Sequence, residues 1–502
     1  MERSWLVLVV SLLWACPVSP AGDAPGTARG RLAGEKERAY SEAAIARATE
    51  ALWEAAKRVR NDRTRPAFHF LPPAQWMNDP CGGIHRKGCY HLFYQLNPYA
   101  DVWAEIHWGH ARSRDLVRWE HLPIALAPLP HEVRCNSGCV TINKPGEPMI
   151  FYTSVLRGSP REQCAAVGDK DLMVWRRHPD NPLIDLKTHG GPRFGGGWSD
   201  MFVFEEAGRT FMLIGVDRLG DEVAVPIYEA EDAGMARWKY KGLLYRAPRE
   251  KIGNMEVPMF CRLSGTWVLM FHPGGPIKYL VGDFDLQSLT FEPQTGGEIT
   301  PSRDFMSPHV FFDDKGRCII YGWIRGFEGG HGWNGCMSLP RVISLDENRV
   351  LRQRPVPELK SLRAEHTGQN NIVLNNTSRH LETGGTDTLE ITAVFRAAGA
   401  KTFGLKLRRT EEEEKAIVIS CEDGQLKVAG VEVPICFDKD ERTVTVNIFV
   451  DRSVLEVFAN DGRCYVAKVI YPGDGRLDVQ VFAEGGTAAV QSLDVWHLES
   501  IW

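Results

Sequence analysis

The chain has 502 residues, of which 43% are apolar and 25% charged, and its formal net charge is −5. This length favours two domains of ordinary globular composition. The slightly negative net charge gives no sign of a basic surface that would bind nucleic acid or an anionic membrane, so neither is expected as a partner.

Residues 1–21 have the composition of a secretory signal peptide. Arg3 supplies the positive start, residues 5–16 the apolar core, and Ser19-Pro20-Ala21 the small-residue exit. The apolar run is too short to span a bilayer. We therefore expect a secreted or periplasmic protein that has no membrane contact after the signal is removed.

Residues 22–65 are expected to form an N-terminal lead and an amphipathic helix. The lead is small and Gly-rich, and the helical pattern runs from Glu35 to Arg60. Four apolar residues recur at helical spacing, namely Ile45, Ala48, Leu52 and Ala55. We expect this helix to pack as a pedestal against the catalytic domain.

Between residues 80 and 325 one pattern recurs five times: an apolar run, a polar turn that ends in glycine, and a second apolar run. The turn glycines are 58, 62, 57 and 51 residues apart, at Gly88, Gly146, Gly208, Gly265 and Gly316. Repeats of about 40–60 residues built from strands and turns are typical of propeller blades. We predict an all-β fold whose catalytic domain, residues 66–359, is a five-bladed β-propeller.

Residues 360–372 are polar and predict a linker. From residue 373 to 502 short alternating strands are separated by Gly and Asp turns, which predicts an antiparallel β-sandwich. The acidic run at 411–414 is interpreted as a solvated turn.

The 12 cysteines contain no CxxC pair, so they indicate neither a disulfide scaffold nor a zinc site. Local bridges between Cys81 and Cys89 or between Cys135 and Cys139 remain open.

Three of the five repeats carry a carboxylic acid eight or nine residues before the turn glycine. The acids are Asp79, Asp200 and Glu256, and the other two repeats have Ser137 or Gly138, and Ser307 or Pro308, in that place. Equivalent positions at the start of an inner propeller strand all face the central axis, so we expect the acids to converge. A retaining glycosidase needs a nucleophile and an acid/base about 5–5.5 Å apart. A third acid can accept hydrogen bonds from sugar hydroxyls and stabilise the charge of the transition state.

The segment AQWMNDPCGG around Asp79 resembles the WMNDPNG signature of glycoside hydrolase family 32, which contains invertases, inulinases, levanases and fructosyltransferases. The similarity continues through HLFYQLNP, HWGHARSRDLVRWEHLPIAL, GWNGCMSLPR and LRQRPVPEL to IFVDRSVLEVFANDG, and so covers roughly residues 66–500. The family fold is a five-bladed propeller followed by a β-sandwich. This resemblance agrees with the architecture predicted from the repeats.

The resemblance implies catalytic roles for the three acids. Asp79 matches the family nucleophile, Glu256 in MEVP matches the acid/base of the ECP segment, and Asp200 in WSDM matches the RDP aspartate that stabilises the transition state. Contacts to the fructosyl ring are implied for Asn78, Gln95 and Trp103. Trp76, Trp108 and Trp333 are either apolar walls of the sugar site or structural tryptophans.

The chain departs from the family pattern at positions expected to lie near the sugar. Ser199 and Met201 replace the Arg and Pro of RDP, and Val257 replaces the Cys of ECP. Asn136 replaces the Phe of FSGS, whereas Ser137 and Gly138 are kept. Cys81 replaces the Asn that follows NDP. Loss of the Arg removes a charged, directional donor from the sugar site. Ser137 and Ser199 therefore join the candidate substrate-binding residues.

Other motifs do not indicate a cofactor or metal, and none is expected. His107 and His110 have an odd spacing that directs them to opposite faces of a strand. Residues 195–197 lack the GK[ST] of a phosphate loop and are interpreted as a flexible loop into the third blade.

Three functions remain open. The leading one is an exported β-fructofuranosidase-like retaining hydrolase acting on sucrose or fructans. The second is an inverting propeller glycosidase for another furanoside, such as an arabinofuranoside, and the third is a catalytically inactive carbohydrate-binding protein. Hydrolysis is not distinguished from fructosyl transfer, nor exo from endo action, and the oligomeric state is left open.

Overall fold

A computed structural model of the protein describes residues 28–158, 161–381, 383, 386–409, 416–435, 442–472 and 477–502. The expected signal peptide at 1–21, the first part of the lead and the acidic run at 411–414 lie outside these residues. Among the described helices none combines the length and the apolar composition of a membrane span.

The N-terminal helix α1 (Ala28–Val59) packs on the propeller as predicted, although it begins before Glu35. Its buried face consists of Ala44, Ala48, Leu52, Ala55 and Val59. Four of these residues, Ala48, Leu52, Ala55 and Val59, belong to the large apolar core of the propeller, and Ile45 packs against this core while only partly buried.

Five antiparallel sheets form the blades of the propeller, each built from consecutive stretches of chain. Blade one contains β1 (Gln75–Arg86), β2 (Cys89–Asn97), β3 (His107–Ser113) and β4 (Trp119–His121). Blade two contains β5 (Glu132–Ile142), β6 (Pro148–Leu156), β7 (Arg161–Gly168) and β8 (Trp175–Arg177). Blade three contains β9 (Gly195–Glu206), β10 (Arg209–Leu219), β11 (Glu222–Ala230) and β12 (Trp238–Pro248), and is followed by the short helix α2 (Arg249–Ile252).

Blade four contains β13 (Glu256–Leu263), β14 (Thr266–His272), β15 (Lys278–Asp285) and β16 (Thr290–Glu298). The last stretch contains β17 (Phe305–Phe312), β18 (Cys318–Ile324), β19 (Trp333–Asn334), β20 (Cys336–Met337), β21 (Arg341–Leu345) and β22 (Leu351–Pro355). Strand β19 does not stay in blade five but pairs in parallel with the start of β1. The end of the propeller is thereby hydrogen-bonded to its beginning.

The predicted hairpins are present in all five blades. Three of them have two-residue turns in which both residues have positive φ, at Lys87-Gly88, Ala207-Gly208 and Ser264-Gly265. Such turns match the right-handed twist of the flanking strands and favour glycine at the second position. This geometry explains why the turn glycines were the clearest repeat signal in the sequence.

The first strand of each blade is irregular near its start, in every case close to the expected axial position. The hydrogen-bond register shifts between Met77 and Pro80, Asn136 and Gly138, Ser199 and Phe202, Glu256 and Met259, and Met306 and His309. A bulge bends a strand and re-aims its side chains. The same distortion in every blade therefore presents equivalent residues to one central site.

The C-terminal domain consists of two six-stranded antiparallel sheets. One contains β23 (Arg363–Asn375), β34 (Thr487–Leu498), β25 (Thr388–Ala398), β30 (Thr443–Asp451), β31 (Val454–Ala459) and β32 (Cys464–Val469). The other contains β24 (Ser378–Leu381), β33 (Leu477–Glu484), β26 (Thr402–Arg409), β27 (Ile417–Glu422), β28 (Gln425–Val428) and β29 (Val431–Pro434). A continuous apolar core lies between the sheets, as expected for a sandwich.

The segment 360–372, predicted as a linker, is instead ordered structure. It contains the end of a 3₁₀ helix (Pro357–Leu362) and most of β23. Strand β23 lies at the edge of its sheet and most of its side chains are exposed. Because an exposed edge strand needs few apolar residues, its polar composition was mistaken for a linker.

Two buried acids of the sandwich bind the chain as it enters the propeller. Asp451 accepts the backbone N–H groups of residues 67–69 at 2.6–2.8 Å, and also contacts His69 Nδ1 at 2.8 Å. Glu456 contacts His69 Nε2 at 2.9 Å and accepts the backbone N–H of Leu339 at 2.6 Å. Burial lowers the pKa of His69, but the hydrogen bonds and charges of the two acids outweigh it and raise that pKa to about 9. The motif IFVDRSVLEVFANDG thus joins the two domains.

Neither of the two local disulfides left open forms, because Cys81, Cys89, Cys135 and Cys139 are unpaired thiols. Cys89 lies opposite Arg86 on the neighbouring strand, well away from Cys81. Cys135 and Cys139 lie four residues apart on one strand, a separation of about 13 Å that exceeds the reach of a disulfide.

Candidate active site

Asp79 lies in the bulge of β1 and is held by side chains of blades one and two. Ser137 Oγ donates to its Oδ2 at 2.7 Å, and Asn78 Nδ2 donates to its Oδ1 at 3.1 Å. Gln95 completes the network, since its Oε1 accepts from Asn78 Nδ2 at 2.7 Å and its Nε2 donates to Ser137 Oγ. The Ser137 hydroxyl can accept one bond and donate the other. Both oxygens of Asp79 are therefore oriented.

The electrostatics of Asp79 involve three further blades. Burial raises the pKa of Asp79, hydrogen bonds from Ser137, Asn78 and Ser307 lower it, and the charge of Glu256 raises it again. The net direction is upward. Ser307 occupies the equivalent position in blade five, so the repeat positions of blades one, two, four and five meet at this carboxyl.

Asp200, in blade three, lies beside the same group. Its Oδ2 accepts the backbone N–H of Val257 at 3.2 Å and the hydroxyl of Ser199 at 3.2 Å. Burial and then the charges of Asp79 and Glu256 raise the pKa of Asp200 to about 7. A charge shifts the pKa of another carboxyl only at short range, and the bond from the Val257 N–H places Asp200 beside the strand that begins at Glu256. The predicted convergence of the three acids is therefore present in the structure.

Glu256 begins β13 and is the most open of the three acids. It lies opposite His272 in the β13–β14 ladder, and His272 Nδ1 is 2.8 Å from Glu256 Oε2. The Glu256 side chain is 39% exposed whereas that of His272 is 6% exposed. A carboxyl that is anchored by a buried ring and open to solvent on its other side can exchange a proton with a bound molecule and with water.

The predicted substrate-binding residues fall into two groups by exposure. Asn78, Gln95 and Ser137 are buried and form the network behind Asp79. Trp76 is partly buried and donates from Nε1 to Asn78 Oδ1 at 2.8 Å, which extends this network. Trp103 is 46% exposed and is in contact with the guanidinium of Arg134, which lies 4.2 Å above its ring; it takes no part in the network around Asp79.

Trp108 and Trp333 do not line the sugar site, contrary to one of the two possibilities left open for them. They are 0% and 2% exposed, so a ligand has no access to their rings. Trp108 Nε1 donates to the carbonyl of Asn136 at 3.1 Å, and Trp333 Nε1 donates to Asp62 Oδ2 at 2.8 Å. Both are core tryptophans whose polar atom is satisfied inside the protein.

Four residues at the site were missed from the sequence. Ser307 had a signal, because it occupies the repeat position. Arg161, Asp217 and His272 had none, since they come from the second and third strands of their blades, where no acid or base recurs. Asp217 Oδ2 accepts the N–H of Gly197 at 2.8 Å.

Gly195–Gly197, expected to be a flexible loop, forms the start of β9. A Cβ at position 197 would lie 2.1 Å from Asp217 Oδ2, so glycine is required there by a close contact and not by mobility.

The histidines of HWGH are buried and contact protein groups. His107 Nδ1 is 2.8 Å from the Glu105 carbonyl, and His110 Nε2 is 3.0 Å from His91 Nδ1. In the described part of the chain no group of three or more His, Cys, Asp or Glu residues is arranged to hold a metal ion.

Comparison with known proteins identifies the family. The model of the glycosyl hydrolases family 32 N-terminal domain matches residues 69–355, and that of the family 32 C-terminal domain matches residues 358–497. The chain belongs to glycoside hydrolase family 32. A sucrose-6-phosphate hydrolase of Zymomonas mobilis is 31% identical over 504 residues, which cover 91% of this chain and 96% of the relative. A levanase of Bacillus subtilis is 28% identical, over 87% of this chain and 71% of the levanase.

Solved structures of family 32 members share the fold. Fructan 1-exohydrolase IIa of Cichorium intybus superposes with a TM-score of 0.79 at 23% identity, covering 88% of this chain and 98% of its own. A β-fructofuranosidase of Bombyx mori has a TM-score of 0.76 at 23% identity and covers 92% and 99%. The propeller-plus-sandwich architecture predicted from the sequence is confirmed.

Proposed function

We propose that the protein is a retaining β-fructofuranosidase that releases fructose from sucrose or fructans. The observation that carries this proposal is the convergence of Asp79, Asp200 and Glu256 at the bulged starts of three blades. The substrate class is supported by the relatives, which include hydrolases of sucrose 6-phosphate and levan.

Asp79 is the nucleophile of this reaction. Its ionised carboxylate attacks the anomeric carbon and forms a fructosyl ester while the bond to the leaving oxygen breaks. The hydrogen bonds from Ser137 and Asn78 fix the direction of attack and favour the ionised form. They offset the burial that raises its pKa.

Glu256 is the acid/base. In the first step it gives its proton to the departing oxygen, and in the second it takes a proton from the water that attacks the ester. The contact with His272 holds one carboxyl oxygen and leaves the other available.

Asp200 stabilises the transition state. Its carboxylate accepts hydrogen bonds from sugar hydroxyls and balances the positive charge that develops on the ring. The backbone N–H of Val257 and the hydroxyl of Ser199 hold one of its oxygens in place.

A sugar-release assay tests the proposal. The purified protein is incubated with sucrose, sucrose 6-phosphate, inulin, levan and an arabinan, with the Asp79→Asn variant as the blank. Free fructose from one or more of the first four substrates, absent from the blank, is expected. Arabinose alone would favour the second candidate, a different furanoside, for which the Arg-to-Ser change at Ser199 is the supporting observation. No release by a folded protein would contradict both.

We further propose that the protein is exported, because residues 1–21 have the pattern of a cleavable signal. N-terminal sequencing of protein collected outside the cytoplasm of a secreting host is expected to begin after Ala21. Retention inside the cell with Met1 in place would contradict export.

A further inference from the structure

The site contains a guanidinium that comes from a neighbouring blade. Arg161 begins β7 of blade two, and its Nη1 donates to Ser199 Oγ of blade three at 3.0 Å. Ser199 Oγ in turn donates to Asp200 Oδ2 at 3.2 Å. The Ser199 hydroxyl therefore links the guanidinium to the carboxylate.

The strand that carries Arg161 is fixed to the strand that carries Asp200. Gln163, two residues after Arg161, is 1% exposed and donates from Nε2 to the carbonyl of Trp198 at 2.9 Å. At Gly197 a Cβ would lie 3.1 Å from Arg161 Nη1 and 2.1 Å from Asp217 Oδ2. The Arg161 guanidinium and the Asp217 carboxylate therefore both lie against Gly197. Any side chain at position 197 would clash with the carboxylate and crowd the guanidinium.

The charge of Arg161 acts on two acids. Asp200 faces Asp79 and the Cys81 thiol from blade one and Glu256 from blade four, and the positive charge of Arg161, which has Arg134 beside it, opposes these groups. Asp217, whose pKa is raised by burial and by Glu256, is also stabilised in its ionised form by Arg161. Within the described residues Arg161 makes no ion pair at 4.0 Å or less, and its charge lowers the pKa of both Asp200 and Asp217 from a longer distance.

We propose that Arg161 is a positioning residue that supplies, from blade two, the guanidinium that the family motif carries immediately before the aspartate and that Ser199 has replaced. It holds Asp200 through the Ser199 hydroxyl, and its positive charge favours the ionised form of that carboxylate against the other acids of the site. The inference rests on the proposed function, because its catalytic consequence is read from fructoside hydrolysis.

The test compares Arg161→Gln with Arg157→Gln, an exposed arginine in the same blade-two hairpin. Arg161→Gln is expected to lower kcat at least tenfold, to change KM less, and to move the acid limb of the kcat/KM profile up by about one pH unit or more. Arg161→Lys is expected to return the acid limb of the kcat/KM profile part of the way to its wild-type pH. Arg157→Gln is expected to behave as wild type. The double variant Arg161→Ser/Ser199→Arg, which returns the guanidinium to the Asp200 strand, is expected to recover both rate and limb.

A readout independent of turnover separates this inference from the proposed function. Carbon-13 NMR of Asp carboxyls in the unliganded protein is expected to show the Asp200 titration moving to higher pH in Arg161→Gln but not in Arg157→Gln. A loss of activity with an unchanged limb and an unchanged titration would overturn the role of Arg161. If the wild type released no fructose, the proposed function would fail and the NMR titration would still decide the inference. If Arg161→Gln did not fold, the double variant Arg161→Ser/Ser199→Arg would decide. A folded double variant whose acid limb still lay at higher pH than that of the wild type would overturn the role of Arg161.

Discussion

At the residue scale, the site divides into groups that react and groups that hold them. Asp79 is oriented by three neighbours that are nearly inaccessible to solvent, Asn78, Gln95 and Ser137. The sequence identified all four residues, because they fall in recognisable motifs. It did not identify His272, whose position depends on strand register and not on a motif.

Replacing Ser137 with Ala is expected to weaken the nucleophile. The change removes a hydrogen bond that lowers the pKa of Asp79, so Asp79 remains protonated to a higher pH. We expect kcat/KM to fall about tenfold and its acid limb to rise by about half to one pH unit. The measurement is the kcat/KM profile on sucrose between pH 4 and 8 (roughly the range in which carboxyls and His titrate). Thr141→Ala, on the same strand, is the control, and an unchanged limb in Ser137→Ala would contradict the assigned role of this hydroxyl.

Replacing His272 with Ala is expected to impair protonation of the leaving group. Its ring holds Glu256, so the loss should be about ten- to hundredfold with sucrose, whose leaving oxygen needs a proton. An aryl fructoside with an acidic leaving group should be affected much less in the first step. The test is the ratio of the two losses, and equal losses on both substrates would show that His272 acts elsewhere.

At the element scale, the repeated hairpin was predictable and the bulge was not. Turn glycines such as Gly88 and Gly208 mark the hairpins because both turn positions need positive φ. The bulges have no such signature, since their residues are acids, serines and ordinary apolar residues. The segment 360–372 shows the same limit, because an edge strand and a linker can have the same composition.

Replacing Gly138 with Ala is expected to damage the bulge of blade two. A Cβ at this position would lie 2.0 Å from the carbonyl oxygen of Phe151, which is backbone and cannot turn aside. We expect a loss of about 1–3 kcal/mol of unfolding free energy together with reduced activity, because Ser137 is the adjacent residue. Urea unfolding compares this variant with Gly329→Ala, where a Cβ would meet nothing within 4 Å. Equal stability of the two variants would contradict the close packing at this bulge.

At the scale of the whole molecule, the sandwich is bonded to the propeller through buried charge. Asp451 and Glu456 both contact the ring of His69, and all three side chains are 0% exposed. The family motif that contains the two acids was recognisable in the sequence. Its structural purpose was not, because the partner lies about 380 residues earlier in the chain.

This contact predicts an alkaline loss of stability. The pKa of His69 is about 9 in the folded protein and near 6.5 when unfolded, so its protonation stabilises the fold fully below about pH 6.5 and is lost as pH rises through 9. His69→Gln is expected to lower the free energy of unfolding by about 3–5 kcal/mol at pH 6.5. It should also flatten the decline of that free energy between pH 6.5 and 9. Unfolding free energies measured across this range test it. The control His366→Gln removes a half-exposed pair with Asp494 and should change stability by less than about 1 kcal/mol. An equally steep decline in His69→Gln would exclude His69 as its source.

In the proposed mechanism Asp79 attacks the sugar, while Glu256 donates a proton in the first step and accepts one in the second. The most direct test uses the Glu256→Gln protein with an aryl fructoside whose leaving group departs without protonation. The first step should then proceed and the second should stall, so that acid quenching and peptide mass spectrometry find one fructosyl residue esterified to Asp79. A burst of released aryl alcohol equal to the enzyme concentration should accompany it. A fructosyl group on a different residue, or turnover without any trapped ester, would contradict this mechanism.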